Sequence, residues 1–310
     1  MADPVLHIKD SYFFEIPKKF WPVEYKTRTD VPEFLRIAHP DASLAEFNDA
    51  LSGKILIPQP FGKLKNLYEP ASGFLFSKFM ILEVVAAVLL YFVFKKFAER
   101  LRSDAPPRGR FDNALESIVL FIRNDVARKA IHHHPDHYVP ILATLFFFIL
   151  TLNLFGMLPW LGSPTAAFAT TLALAFVTWL VGFVAGTKEL GVAGFWTNMI
   201  PAIDMPWWLS PLKWVIQIML LGIEVLGMVI KHAVLGIRLL ANMVAGHLVL
   251  LAILGMAVAA GSYWSVGSLL PTAGATLLSI LELGVAFLQA FVFTFLSALF
   301  INAASASHSH

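Results

Sequence analysis

The sequence predicts an all-α integral membrane protein of about five membrane helices, with one amphipathic helix on the membrane surface. Three observations carry that expectation. Of the 310 residues, 57% are apolar and 14% charged, against roughly 45–50% and about 25% in ordinary soluble domains. Residues 138–310 hold just eight charges, Lys188, Glu189, Asp204, Lys213, Glu224, Lys231, Arg238 and Glu282. His137 to Thr187 runs for 51 residues without Asp, Glu, Lys or Arg, enough for two crossings at about 20 apolar residues each. This composition argues against a soluble enzyme and for a lipid bilayer as the immediate partner. A net charge of +2, with no basic patch interleaved with aromatics, points to no nucleic acid. With zero cysteines there is no disulfide framework, thiolate metal site or Cys nucleophile.

Residues 1–72 read as an extramembrane segment. Pro4, Pro17, Pro22, Pro32, Pro40, Pro58, Pro60 and Pro70 break any long helix there. Lys9, Asp10, Lys18 and Lys19 interrupt any early apolar run, so no signal peptide is expected. One short amphipathic helix fits Ser43 to Leu51.

The membrane domain occupies 73–310. Its first span lies near 74–94, despite Lys78 and Glu83, and is followed by Lys95, Lys96, Arg100, Arg102, Arg108 and Arg110. The positive-inside rule puts that end in the cytoplasm and the N-terminus outside. Within 111–131, Leu115, Ile118, Val119 and Ile122 share one helical stripe. Asp112, Glu116, Arg123 and Arg128 fall largely elsewhere, as in a helix lying on the membrane. Spans near 138–158 and 165–186 form a hairpin through Pro159, Gly162, Ser163 and Pro164. A polar break follows from Lys188 to Trp208.

Residues 212–259 lack proline, yet Glu224, Lys231, His232 and Arg238 interrupt the apolar run. Hydropathy allows two spans with a short loop across Lys231 to Arg238. It also allows one helix roughly 70 Å long, too long to stand upright in a core about 30 Å thick. The last span, near 273–301, carries only Glu282. Five crossings return the C-terminus to the cytoplasm. Trp160, Trp207, Trp208, Trp214 and Trp264 fall near span ends, where interfacial anchors belong.

A charge at membrane depth costs ~2.5–3.5 kcal/mol on insertion scales, so it faces water or a partner. Glu224, Lys231 and Arg238 are seven residues apart and nearly in line on a helix, with Asn242 one turn beyond. Glu224 lies about 21 Å from Arg238 along the helix. The anion that meets Arg238 is therefore expected on another subunit; the alternative makes Lys231 and Arg238 loop cations at an interface. Glu282 and Gln289 share a face of the last helix. If that helix runs antiparallel to the one before it, Glu282 reaches the depth of His247 and Gln289 that of Arg238. A His beside a carboxylate in an apolar wall is either a proton relay or a packing bond between helices. On a straight helix His247 points about 180° from Arg238, so the two line different surfaces.

The cluster His132, His133, His134 and His137 invites a metal reading. However, three consecutive imidazoles cannot share one helix face, and Asp136 is the one added ligand. A cytoplasmic turn is the expected reading. His308 and His310 close a polar tail with no evident role. Gly222, Gly227, Gly236 and Gly246 permit close helix approach, to another assembly or within the chain. No Walker loop, GxGxxG, GxSxG or HExxH occurs. A secondary transporter using Glu224, Arg238 and Glu282 is the alternative class; it favours inverted repeats and broken helices, and no repeat is seen.

The string IRLLANMVAGHL at Ile237 to Leu248 resembles the signature of subunit a of the F-type ATP synthase. TLFFFILTLNLFGMLP at 144–159 and LQAFVFTFLSALFI at 288–301 are similar to further segments of that family. The resemblance runs from about 74 to 302 and leaves the first 72 residues uncovered. It implies a non-catalytic, cofactor-free stator subunit whose last two helices form a long tilted hairpin against a ring of c subunits. It also implies b-type peripheral stalk subunits as neighbours, an indirect link to the F1 sector, and a bacterial inner membrane. By the same resemblance, Arg238 matches the essential arginine, Asn242 the asparagine after it, and Gln289 the glutamine approaching it. His247 and Glu282 stand where many bacterial members have Glu and His, so the acid–imidazole pair is retained in reverse. Glu224 matches an acidic residue of the cytoplasmic access channel.

Overall fold

In the computed structural model, residues 9–101, 109–158, 160–200, 206, 210–259 and 269–305 are described. Of the residues singled out above, Pro4, Arg102, Arg108, Pro159, Asp204, Trp207, Trp208, Trp264, His308 and His310 lie outside that set. The chain divides into two compact units. One contains residues 1–92, 150–167 and 242–286; the other contains 93–149, 168–241 and 287–310.

The proline-rich leader holds only short elements. These are β1 (Phe13–Glu15), α1 (Glu33–Ala38), α2 (Leu44–Leu51), β2 (Lys54–Leu56), β3 (Gly62–Leu64) and β4 (Pro70–Gly73). α2 is the amphipathic helix expected from Ser43: the Ser43 hydroxyl accepts from the Glu46 N–H, and the Glu46 carboxylate accepts from the Ser43 N–H. This reciprocal capping box satisfies two amides the helix cannot. Phe47 and Leu51 on its inner face pack with Val31 and Leu35 in a small core, each contributing about 1.5–3 kcal/mol on burial. The two antiparallel pairs, β1 with β2 and β3 with β4, carry no period-2 pattern long enough to be read beforehand.

The leader is tied to the next helix by Asp10 and Ser11. α3 spans Lys78–Leu101; its Phe79 N–H donates to Asp10 Oδ1 at 3.2 Å, and its Lys78 N–H to the Ser11 carbonyl at 2.8 Å. Burial pushes the Asp10 carboxyl above its ordinary value of 3.8, against hydrogen bonds from Ser77, Phe79 and Ser11 that pull it down. A carboxyl raised on folding contributes stability that is present in acid and is lost as pH rises through its folded value. Asp10→Asn keeps the acceptor without the charge. It is expected to hold the leader at neutral pH at least as firmly as wild type, with a protease resistance that stays flat between about pH 4 and about pH 7 where wild type weakens. Limited proteolysis in native membranes checks this, and earlier cleavage of the Asn variant at neutral pH would refute it.

The helix α4 (Arg110–Phe121), a wider π-type turn over Ile122–Ala127 and the short α5 (Arg128–Ala130) replace the single helix expected at 111–131. Leu115, Ile122, Val126 and Ala127 are buried along them. Arg100 pairs with the buried Asp112, while Arg123 and Arg128 both grip Asp136. Asp136 is thereby committed to two guanidiniums rather than to the histidines. His132 instead faces Asn302 through its backbone N–H and Nδ1, both 3.1 Å from Asn302 Oδ1.

The remaining helices are α6 (Pro135–Met157), α7 (Phe168–Asn198), α8 (Ser210–Ala259) and α9 (Leu269–Ser305). Among the described residues these four are long and apolar enough to cross a membrane, and the protein is an all-α integral membrane protein in its membrane part. α3 is also long enough, about 36 Å, but carries Lys78, Glu83, Lys95 and Lys96. It starts four residues later than hydropathy suggested, because Phe74–Ser77 follow β4 without helical structure. It then continues past the cations, since a helical backbone need not stop where the apolar run stops. α7 passes the expected boundary at 186 and is interrupted at Gly191, where φ is +74°, a conformation glycine adopts without steric cost.

The two readings of residues 212–259 are resolved in favour of one helix. α8 is 50 residues long, about 75 Å, so it must tilt to remain within a bilayer. α9 runs antiparallel to it. In the first unit Gly246 adjoins Glu282 and Ile253 adjoins Gly274; in the second, the rings of His232 and Phe300 lie 4.6 Å apart. Only 11% of the most apolar stretch of α8 is buried inside the chain, against 44% for α9. Among the described residues, little of the most apolar stretch of α8 is covered by the chain itself.

Candidate functional site

In the first unit, the antiparallel register brings His247 of α8 to Glu282 of α9. Nδ1 lies 2.9 Å from Glu282 Oε1 and also 3.0 Å from the Met243 carbonyl. The hydrogen-bond direction of Nδ1 favours the carbonyl, so Oε1, itself buried, receives an ionic contact rather than an aligned bond. Nε2 lies 2.8 Å from the Gly156 carbonyl. Every polar atom around the ring is therefore an acceptor, and a proton added to it meets a partner at either nitrogen. Glycine makes this fit possible. A Cβ at Gly246 would stand 3.0 Å from Glu282 Oε1, and one at Gly156 would stand 2.6 Å from Ser163 Oγ.

Beside this pair lies a fully buried polar group that the sequence reading did not single out. Asn153 Oδ1 accepts from Thr165 at 2.8 Å, its Nδ2 donates to the Ala286 carbonyl, and Ser163 sits 3.1 Å from Thr165. The signal was present as one Asn inside the charge-free run, but an isolated amide carries no spacing to read.

In the second unit, Arg238 is half-buried on α8, and its Nε and Nη2 are enclosed without a hydrogen-bond partner among the described residues. Gln289, buried on α9, bonds to neither of them. Glu224 is exposed, and Lys231 Nζ lies 3.9 Å from its carboxylate, a weak contact between two exposed side chains. Glu224 and Lys231 face a cavity of about 580 Å³, walled by aromatic residues of α7 and by Phe300 of α9. Asn242 is half-buried, one turn beyond Arg238 and at the edge of the first unit. The four α8 glycines divide. Gly236 is pressed on the Thr171 carbonyl, 2.7 Å from where a Cβ would stand, and Gly246 on Glu282; Gly222 and Gly227 face open space.

Nε and Nη2 of Arg238 are thus without a partner among the described residues, on a helix of which little is buried inside the chain. The profile of the family described as ATP synthase A chain matches residues 79–302. The chain belongs to that family. ATP synthase subunit a of Anaeromyxobacter sp. strain Fw109-5 is 35% identical over 98% of this chain and 70% of its own length. Those of Myxococcus xanthus and Chloroherpeton thalassium are 38% and 33% identical, over 76% and 88% of this chain and 74% and 80% of theirs. The Anaeromyxobacter alignment takes in the leader as well, which the resemblance read from motifs left uncovered.

As an ATP synthase A chain, this protein is a proton-translocating membrane component of a multisubunit ATP synthase complex in a bacterial membrane. Two candidate features are thus present, one in each unit: the contact of His247 with Glu282, and Arg238 together with the cavity that Glu224 lines.

Proposed function

We propose that Arg238 is the stator charge facing the carboxylate of a c-subunit ring, with two aqueous half-channels opening to opposite sides of the membrane. The observation that carries this reading is the enclosed, unpartnered guanidinium on a helix whose apolar surface is largely uncovered. The ring carboxylate is neutral in lipid, where a charge is expensive. Opposite Arg238 it ionises, because a nearby cation favours the anion. The proton leaves by one channel, and the ring turns before another arrives by the other. Each charge crossing gains ~2.3 kcal/mol per 100 mV.

His247 and Glu282 serve one half-channel and Glu224 the other; Asn242 and Gln289 flank Arg238. α3 adds a fifth crossing, with the N-terminus outside and the C-terminus cytoplasmic, and 111–131 lies at the cytoplasmic surface. Gly222 and Gly227 let a ring helix approach closely, and b-type stalk subunits and the F1 sector complete the stator. The chain has no cysteine, so one introduced at exposed Ile237 or Ala241 reports its neighbour. Oxidative cross-linking to a small hairpin protein with one intramembrane Asp or Glu is the expected result. Cross-links to lipid-facing copies of this chain alone would count against a ring there.

A further inference from the structure

His232 precedes Arg238 by six residues on α8 and has no part in the assignments above. The residue is 8% exposed. Its Nδ1 lies 2.9 Å from the Met228 carbonyl, which can only accept, so in the neutral ring Nδ1 carries the hydrogen and Nε2 presents a lone pair. Nε2 is buried, and no donor among the described residues reaches it. His232 nevertheless belongs to the lining of the 580 Å³ cavity, together with Glu224, Lys231, Thr197, Asn198 and Phe300. At ~30 Å³ per molecule, such a volume has room for a water cluster. Among the described residues, the charged or titratable groups on that wall are Glu224, Lys231 and His232, all from α8; the described lining of α7 and α9 brings none. One nitrogen of this buried imidazole is fixed and the other is unsatisfied among the described residues, beside a largely apolar cavity to which Glu224, Lys231, Thr197 and Asn198 add polar groups.

We propose that His232 Nε2 is a proton-exchange site on the Glu224 cavity. It takes a proton from cavity water or from the Glu224 carboxylic acid, becoming imidazolium while Nδ1–H stays on the Met228 carbonyl. It returns that proton from the same nitrogen to water or to the Glu224 carboxylate. Lys231, its neighbour in sequence, opposes the added charge and favours release. The site matters most where hydronium is scarce, because the imidazole then stores protons that bulk water delivers slowly. This role rests on the reading of α8 as the ring-facing helix.

The test uses vesicles carrying the whole membrane sector, stripped of the catalytic head, with passive proton flux measured as pH is varied on the Glu224 side. His232→Gln keeps a donor for the Met228 carbonyl but cannot titrate. Its flux is expected to fall about tenfold between about pH 7 and about pH 8, following hydronium, while wild type falls by about threefold or less. The deficit should shrink toward about pH 6. A profile identical to wild type, or a loss of the same factor at every pH, overturns the proposal. H232C supplies a second reading, since a water-soluble maleimide should label it, identified by mass in this subunit; no labelling in the assembled complex means a dry wall and also overturns it. Arg238→Ala, measured by ATP-driven pumping in inverted vesicles that keep the catalytic head, separates the two levels. If it retains pumping, the ring-facing reading fails; if it loses pumping while His232→Gln follows wild type, only the exchange site fails.

Discussion

Replacing Arg238 with alanine is expected to abolish coupled proton transport in the assembled enzyme. Without a cation opposite it, the ring carboxylate must ionise unaided in an apolar setting. The insertion penalty of ~2.5–3.5 kcal/mol for a charge at membrane depth then corresponds to about a hundredfold or more in the ionised population. Folding is expected to be spared, because the Nε and Nη2 of Arg238 make no hydrogen bond among the described residues that the variant would lose. The complex should assemble and hydrolyse ATP while ATP-driven acidification of inverted vesicles vanishes. Retained pumping would sink the assignment of Arg238. Lysine at 238 tests charge against shape. It restores the cation without the planar fork, so partial recovery points to charge as the main requirement.

The second large effect is expected at His247. His247→Ala removes the one base placed against the buried Glu282 carboxylate, and passive flux through the membrane sector should drop by about a hundredfold if the ring transfers protons. Exchanging the two, His247→Glu with Glu282→His, keeps one acid and one imidazole at the same contact. The exchange should recover a substantial part of the flux, although the Gly156 carbonyl then faces a carboxylate it cannot serve. Unchanged flux in His247→Ala would make the contact a packing bond between α8 and α9 and nothing more.

Much of the helical architecture was legible because lipid imposes a simple rule. A run of 51 residues without a charge has little alternative to crossing the membrane, and α6 and α7 both fall on it, although α7 continues past its end at Thr187 to Asn198. The short helix α2 was readable for a similar reason, as its amphipathic pattern over Ser43 to Leu51 is local. Where several answers satisfied the same local pattern, the sequence was silent. Residues 212–259 admitted two spans or one, and Lys231 and Arg238 gave no reason to choose. Nor could a leader broken by eight prolines disclose strands of three or four residues, since β1 and β2 pair positions about forty apart and β3 and β4 are too short to show a period.

The residues bearing charge in the apolar half, and their seven-residue spacing on α8, follow from the chain alone, since both are properties of one helix and its solvent. The partner of each such group was decided by the tertiary structure. It placed His247 against Glu282 and the Gly156 carbonyl, left Arg238 unanswered, and turned His232 toward the Glu224 cavity. It also pressed Gly236 and Gly246 into helix contacts while Gly222 and Gly227 stayed open. Helical periodicity fixes angles around one axis. The side of that axis that meets a neighbour depends on the rotation and register of helices distant in sequence, which only the packed structure sets.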